Sequence, residues 1–128
     1  MIPQHEPGAK LDLDKPDMSL LTQFPRALAE VSRVGTYGMK KYSRGGWLKV
    51  PNGIVRYCAA MLRHVFKESI EGVYDREVLA DDFEDAEDYV GKIRHDAQVA
   101  WNALAVCELK LQEEEQRQFT KSTPRTLL

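Results

Sequence analysis

The side chains able to do chemistry fall in two groups at helical spacing. His64, Glu68 and Glu71 step by four and three, which puts an imidazole and two carboxylates on one stripe of a helix. Asp88, Gly91, His95, Gln98 and Asn102 step by 3, 4, 3 and 4, a second polar line. Taken singly, each is an ordinary solvated position. Taken together, they bring imidazole, carboxylate and amide groups into reach of one another, and such oxygen and nitrogen donors suit Mg²⁺ or Mn²⁺. Asn102 sits between Trp101 and Ala103, where helix propensity disfavours it, so it asks for a hydrogen-bonding role. Six acids crowd into Asp81–Asp88; most must be solvated, and one or two have the chemistry of ligands. Glu30 lies between Arg26 and Arg33 and reads either as a helical ion pair or as a metal ligand. Tyr42 and Trp47 flank a Gly-rich loop and either stack on a base or plug the core. His95-Asp96 has the look of a phosphohydrolase His-Asp pair, but the further spaced ligands of such a site are missing. No phosphate-binding Gly-rich loop, serine elbow or zinc-ligand spacing occurs.

These groups need long helices to carry them. A first helix is expected from Pro25, with Phe24, Leu28, Val31 and Val34 as its apolar stripe, to about Tyr42. Gly35 and Gly38 lie on its apolar side, where another backbone can approach closely. A second helix is expected from Ile54 to Glu71, with Ile54, Cys58, Met61, Leu62 and Val65 facing the core and Gly72 as the stop. After a linker at 73–80, a third begins either near Asp81 or beyond Gly91. Ile93, Ala97, Ala100, Leu104, Cys107 and Leu111 form its seam, and a polar tail follows Glu113. The expected organisation is an extended arm over 1–23, a helical domain over 24–112 and a tail over 113–128. No strand pattern stands out, so the fold class is all-α, with a core completed by oligomerisation.

The composition fits this. The chain has 128 residues, 43% hydrophobic and 30% charged, and a net charge of -2. That is one globular domain able to bury a core without disulfides. Residues 10–67 carry 11 basic against 4 acidic groups, and residues 68–128 carry 7 against 15. A basic half for a polyanion and an acidic half for cations would suit a small phosphate ester held with a divalent metal. The pI of about 5.9 counts against stable nucleic-acid binding. Cys58 and Cys107 lie in apolar runs and read as small buried hydrophobes of a reducing compartment. With no membrane span and no signal-peptide pattern in Met1–Glu6, a cytoplasmic protein is expected.

Ordered blocks along the chain resemble a known family. Gly8-Ala9-Lys10-Leu11-Asp12-Leu13-Asp14-Lys15-Pro16 with Leu20-Leu21 resembles its opening block. Pro25–Val34, with Glu30 at the acidic position, resembles the next, and Gly38-Met39-Lys40-Lys41-Tyr42 with Trp47 the third. Arg63-His64 matches an Arg-His pair, and Gly91, His95 and Asn102 resemble the ending. The family is the phage dATP/dGTP diphosphohydrolases, MazZ-type relatives of the all-α MazG-like nucleotide pyrophosphohydrolases, and the likeness spans roughly residues 8–111. Gln98 stands where the family often has a second His, and the stretch from Tyr74 to Val90 is longer than usual.

The resemblance implies a MazG-like helical bundle, a homo-oligomer (dimer or tetramer), and hydrolysis of a purine dNTP to dNMP and pyrophosphate with Mg²⁺ or Mn²⁺. It points to Glu30, Asp88 and His95 as the catalytic metal ligands, with His64 next and Glu87 or Asp75 in reserve. Lys10, Lys15, Lys41 and Arg63 would neutralise the triphosphate. Tyr42 and Trp47 would hold the base, and Asp12 or Asn102 would read its edge or the sugar. The competing reading is a non-catalytic helical phage protein that binds nucleotide or a partner protein.

Overall fold

A computed structural model describes residues 2–121. Three helices dominate: α1 (Pro25–Lys41), α2 (Gly53–Glu71) and α3 (His95–Lys121). Short 3-10 turns at Met18–Gln23, Gly46–Lys49 and Ala86–Tyr89 punctuate the connections. Among the described residues there is no β-sheet; the chain is an all-α helical bundle, as the periodicity required. No helix among them is long and apolar enough to cross a membrane.

The helix ends follow local chemistry. Pro25 opens α1, where its fixed φ and missing N–H are harmless, and Lys40 and Lys41 close it against the negative end of the helix dipole. The α2 C-terminus is capped by Gly72 at φ 95°, a left-handed-side conformation that favours glycine, with its N–H bonded to the Glu68 carbonyl. The third helix takes the later of its two expected starts. Gly91 (φ 72°) turns the chain before it, and the preceding acidic stretch forms turns. Asp88 and Gly91 are therefore not on one helical line with His95, because the helix that would align them does not exist there. Only His95, Gln98 and Asn102 keep the 3, 4 spacing on α3. The helix also continues past Glu113 to Lys121; the remainder of the expected tail, 122–128, lies outside the described residues. The N-terminal arm is exposed and carries turns and the Met18–Gln23 3-10 helix, begun by the Asp17 carboxylate accepting from the Ser19 N–H.

The core is small. Val31 and Val34 of α1, Val78 of the linker, Ile93 just before α3 and Ala97 in its first turn are buried together, with Tyr37, Tyr89, Ala100 and Trp101 packed against them. Gly35 touches the Trp101 ring rather than a backbone, whereas nothing approaches Gly38. Trp47 plugs a second aromatic contact. Its ring meets Tyr57 edge-on at 6.2 Å and Trp101 at 6.1 Å, and the Tyr57 hydroxyl donates to the Trp47 carbonyl at 2.8 Å.

The second helix is turned partly away from its expected apolar face: Ile54, Cys58 and Met61 stay half-buried. Leu62 and Val65, expected in the core, are exposed, and no residue of α2 is fully buried. Its half-buried side holds those three with Tyr57, Ala60, His64, Lys67, Glu68 and Glu71. Val55, Leu62, Phe66 and Ile70 form the outer stripe, 71%, 53%, 65% and 83% exposed. A polar stripe is turned inward because it has polar partners on the linker and α3. On α3, Leu104 and Cys107 are also exposed, and Cys58 is only partly buried, so neither cysteine is the fully buried hydrophobe its surroundings suggested.

Candidate metal centre

Residues 72–95 build the site. Beyond Gly72 the chain pairs at Tyr74 with the segment just before α3. The Asp75 N–H donates to the Ile93 carbonyl at 2.8 Å, and the His95 N–H to the Val73 carbonyl at 2.7 Å. This single antiparallel bridge, Tyr74 opposite Arg94, places Asp75 and His95 side by side at the head of α3. Ile93, nearly fully buried, anchors the α3 side of the bridge in the core. His64 arrives from the inner face of α2.

His95 is completely buried and bonded at both ring nitrogens. Its Nε2 lies 2.5 Å from Glu71 Oε1, and its Nδ1 lies 2.9 Å from His64 Nδ1. An ionised carboxylate only accepts, so Nε2 carries the proton. One proton lies between this Nδ1 and the Nδ1 of His64. Asp75, 7% exposed, accepts from the Gln98 side-chain amide at 2.9 Å and from the Glu77 backbone N–H at 2.9 Å. Asn102 Nδ2 donates to the Gln98 carbonyl at 2.8 Å, within α3 itself.

The electrostatics agree with this bonding. Burial pushes the Asp75 carboxyl up, but the Gln98 and Glu77 bonds and the nearby imidazoles outweigh it and hold the group below its ordinary range. The His95 hydrogen bond, with help from the Arg76 N–H, holds Glu71 low against desolvation. Burial lowers His64; Asp75 opposes this, while His95, Lys67 and Arg63 reinforce it. The centre at neutral pH therefore has an anionic Asp75, an anionic Glu71 and a neutral His64.

One ligand atom each from His64, Asp75 and His95 lies within 4.8 Å of the others. Among the described residues this is the group of titratable side chains assembled closely enough to chelate a divalent cation. The expected residues are distributed as follows. His64 and His95 are in the group. Asp75, a reserve ligand on the sequence reading, joins them because the bridge brings it there. Glu30 is occupied by Arg33 at 3.3 Å, one turn along α1. Glu87 and Asp88 are exposed on the Ala86–Tyr89 turn and stand outside the group. Lys10, Asp12 and Lys15 lie on the exposed arm, and Arg63 on the exposed side of α2. Lys41 approaches Asp82 at 3.9 Å, where Asp82 also accepts from the Tyr37 hydroxyl at 2.6 Å. Tyr42 is 78% exposed, and Trp47 packs inside the aromatic contact described above.

Two residues take roles that their positions in the sequence do not announce. Glu71 is visible on the His64 stripe, and that spacing is its only signal. Gln98 lies on the second polar line but reads there as a weak ligand; instead it orients Asp75.

The arrangement defines a helical protein with an imidazole–carboxylate site able to hold a divalent cation. Residues 5–118 match the family model described as "dATP/dGTP diphosphohydrolase, N-terminal", and the chain belongs to this family. It is thereby an enzyme of the diphosphohydrolase class, and its helical fold agrees with a MazG-like bundle. Searches of curated proteins and of solved structures found no match.

Proposed function

We propose that the protein is a metal-dependent pyrophosphohydrolase of purine deoxynucleoside triphosphates, turning dATP or dGTP and water into dNMP and pyrophosphate in the cytoplasm. The observation that carries the reading is the His64–Asp75–His95 group in a chain of this family. The donor set fits a divalent cation. It holds one buried anionic oxygen and two imidazole nitrogens, with His95 fully buried and its outer nitrogen secured by Glu71. These three residues, in place of Glu30, Glu87 and Asp88, are the metal ligands of this reading. Either Mg²⁺ or Mn²⁺ serves the reaction as written. When bound, the ion supplies positive charge to the non-bridging phosphoryl oxygens.

The chain's own groups do the rest. Water attacks the α-phosphorus in line, the bond from it to the bridging oxygen breaks, and pyrophosphate leaves. Glu68 lies one turn beyond His64 on the half-buried side of α2. It takes the water's proton in this reading, since Glu71 is bonded to His95 and Asp75 to Gln98. Lys10, Lys15, Lys41 and Arg63 balance the triphosphate charge, and the exposed Tyr42 stacks on the base. Asp12 reads the base edge or the sugar. Trp47 and Asn102 hold the fold behind the site, as their packing and intrahelical bond indicate. A second copy covers the outer apolar stripe of α2.

A pyrophosphate-release screen of dATP, dGTP, dCTP, dTTP, ATP and GTP tests the reading, with Mg²⁺, Mn²⁺ or EDTA present. Purine-selective, EDTA-sensitive formation of the monophosphate is expected. Absence of turnover by folded, metal-loaded protein would replace it with the nucleotide- or partner-binding reading.

A further inference from the structure

We infer that this centre is built for a first-row transition dication such as Mn²⁺ in preference to Mg²⁺, and that Glu71 is the positioning residue that makes it so. The inference rests on the pyrophosphohydrolase reading only for the location of the metal.

Mg²⁺ is a hard ion that prefers an all-oxygen octahedron and keeps several of its waters. Here two of the three protein donors are imidazole nitrogens, which suit transition ions. Neither donor is casual. His95 is fully buried and cannot swing out to let water take its place. Its Nε2–H is held by Glu71 Oε1, the carboxylate–histidine arrangement that fixes a ligand's tautomer and raises its basicity. That bond aims Nδ1 at the 2.9 Å contact with His64 Nδ1, where the two nitrogens share one proton. Bonds of roughly 2.0–2.2 Å to one ion need the nitrogens only a few tenths of an ångström further apart. Asp75 is pinned by Gln98 and the Glu77 N–H, so the third donor is also oriented beforehand. A dication displaces the proton between them and accepts both lone pairs. An ion that insists on oxygen gains one carboxylate and meets two nitrogens. Glu71 touches neither ion nor nucleotide in this scheme, and it acts through His95.

The test is calorimetric titration of the full chain with MnCl₂ and with MgCl₂, without nucleotide, and pulsed electron paramagnetic resonance of the Mn²⁺ complex. Mn²⁺ is expected to bind at least about 100-fold more tightly than Mg²⁺, with nitrogen modulation from two imidazoles. Glu71→Gln should weaken Mn²⁺ about 10–100-fold, with both nitrogen couplings kept and helicity by circular dichroism unchanged. His64→Gln should leave one coupling. Mn²⁺ and Mg²⁺ affinities within tenfold, or a Mn²⁺ complex without nitrogen coupling, would overturn the inference and leave the hydrolase reading standing on Mg²⁺. If neither ion binds, both fall. An unchanged Mn²⁺ affinity in a folded Glu71→Gln protein would remove Glu71 from its role.

Discussion

Asp75→Asn separates the metal site from the fold, because the change removes a charge and almost no volume. In the metal-free protein the oxygen of the new side-chain amide can still accept from the Glu77 N–H. The amide nitrogen then faces Gln98 Nε2, donor against donor, and Gln98 must rotate its own amide to offer its oxygen. The loss in the metal-free protein should be about 1.5–3 kcal/mol, one hydrogen bond to a charged group. The effect on metal binding is larger, since Asp75 is the sole anionic donor of the group. Loss of about 100-fold in affinity is expected, the upper end of what even outer partners of ligands deliver. At an ion concentration 100 times the wild-type Kd, binding stabilises the native state by about 2.7 kcal/mol. After a 100-fold loss, the same concentration gives about 0.4 kcal/mol. A chain of 128 residues has an unfolding entropy near 0.27 kcal/mol/K, at about 2.1 cal/mol/K per residue. The metal-induced rise in Tm should therefore be about 10 °C in the wild type and about 1–2 °C in Asp75→Asn. Differential scanning calorimetry with EDTA and with Mn²⁺ reads both numbers. An Asp75→Asn protein that keeps the full metal-induced rise would refute Asp75 as a ligand. One that fails to fold even without metal would refute the hydrogen-bond argument.

Three further outcomes are expected. Gly35→Ala places a Cβ 2.6 Å from Trp101 Cζ3 and 2.9 Å from Cη2. The overpacking penalty of about 1–3 kcal/mol should exceed the helix-propensity gain of up to about 1 kcal/mol, so an unchanged or higher Tm would contradict the packing. The lowered pKa of His64 means that the unfolded chain takes up a proton before the folded one does. Stability from this group is complete above its ordinary pKa near 6.5 and is lost as pH falls through the folded value. In EDTA, Tm should accordingly fall below pH 6.5, and His64→Gln should flatten that limb; a Tm that rises on acidification would reverse the sign. Leu62→Glu, on the outer stripe of α2, should give a folded monomer by light scattering where the wild type self-associates, whereas equal masses would detach that face from assembly.

The bundle was legible because helices announce themselves through periodicity and punctuation. Pro25 at the start of α1, Gly72 at the end of α2, and the Val31, Val34, Ile93 and Ala97 positions all follow from the pattern of residues a few places apart. The rotation of α2 was less legible. Its apolar residues occupy more than one face, and periodicity cannot say which face a partner claims. Here the polar side of His64, Glu68 and Glu71 turned inward, because polar neighbours await it there, and Val55, Leu62, Phe66 and Ile70 turned out.

For the candidate site, sequence by itself determined the residue types. It supplied two histidines and several carboxylates at helical spacing, and a family likeness that the match over residues 5–118 bears out. It also placed His64 and Glu71 on one stripe of one helix. Only the tertiary structure decided which carboxylate joins them. Asp75 lies 20 residues before His95 in the chain, in a linker with no regular pattern. One antiparallel bridge, Tyr74 opposite Arg94, sets the two side by side. The same fold leaves Glu30 with Arg33 and strands Glu87 and Asp88 on an exposed turn. Spacing along a helix is local and can be read from the chain, because 3.6 residues per turn fixes which side chains are neighbours. Two backbone hydrogen bonds between segments about twenty residues apart have no such period, and the pairing goes with the burial of Ile93 and Val78 in one core.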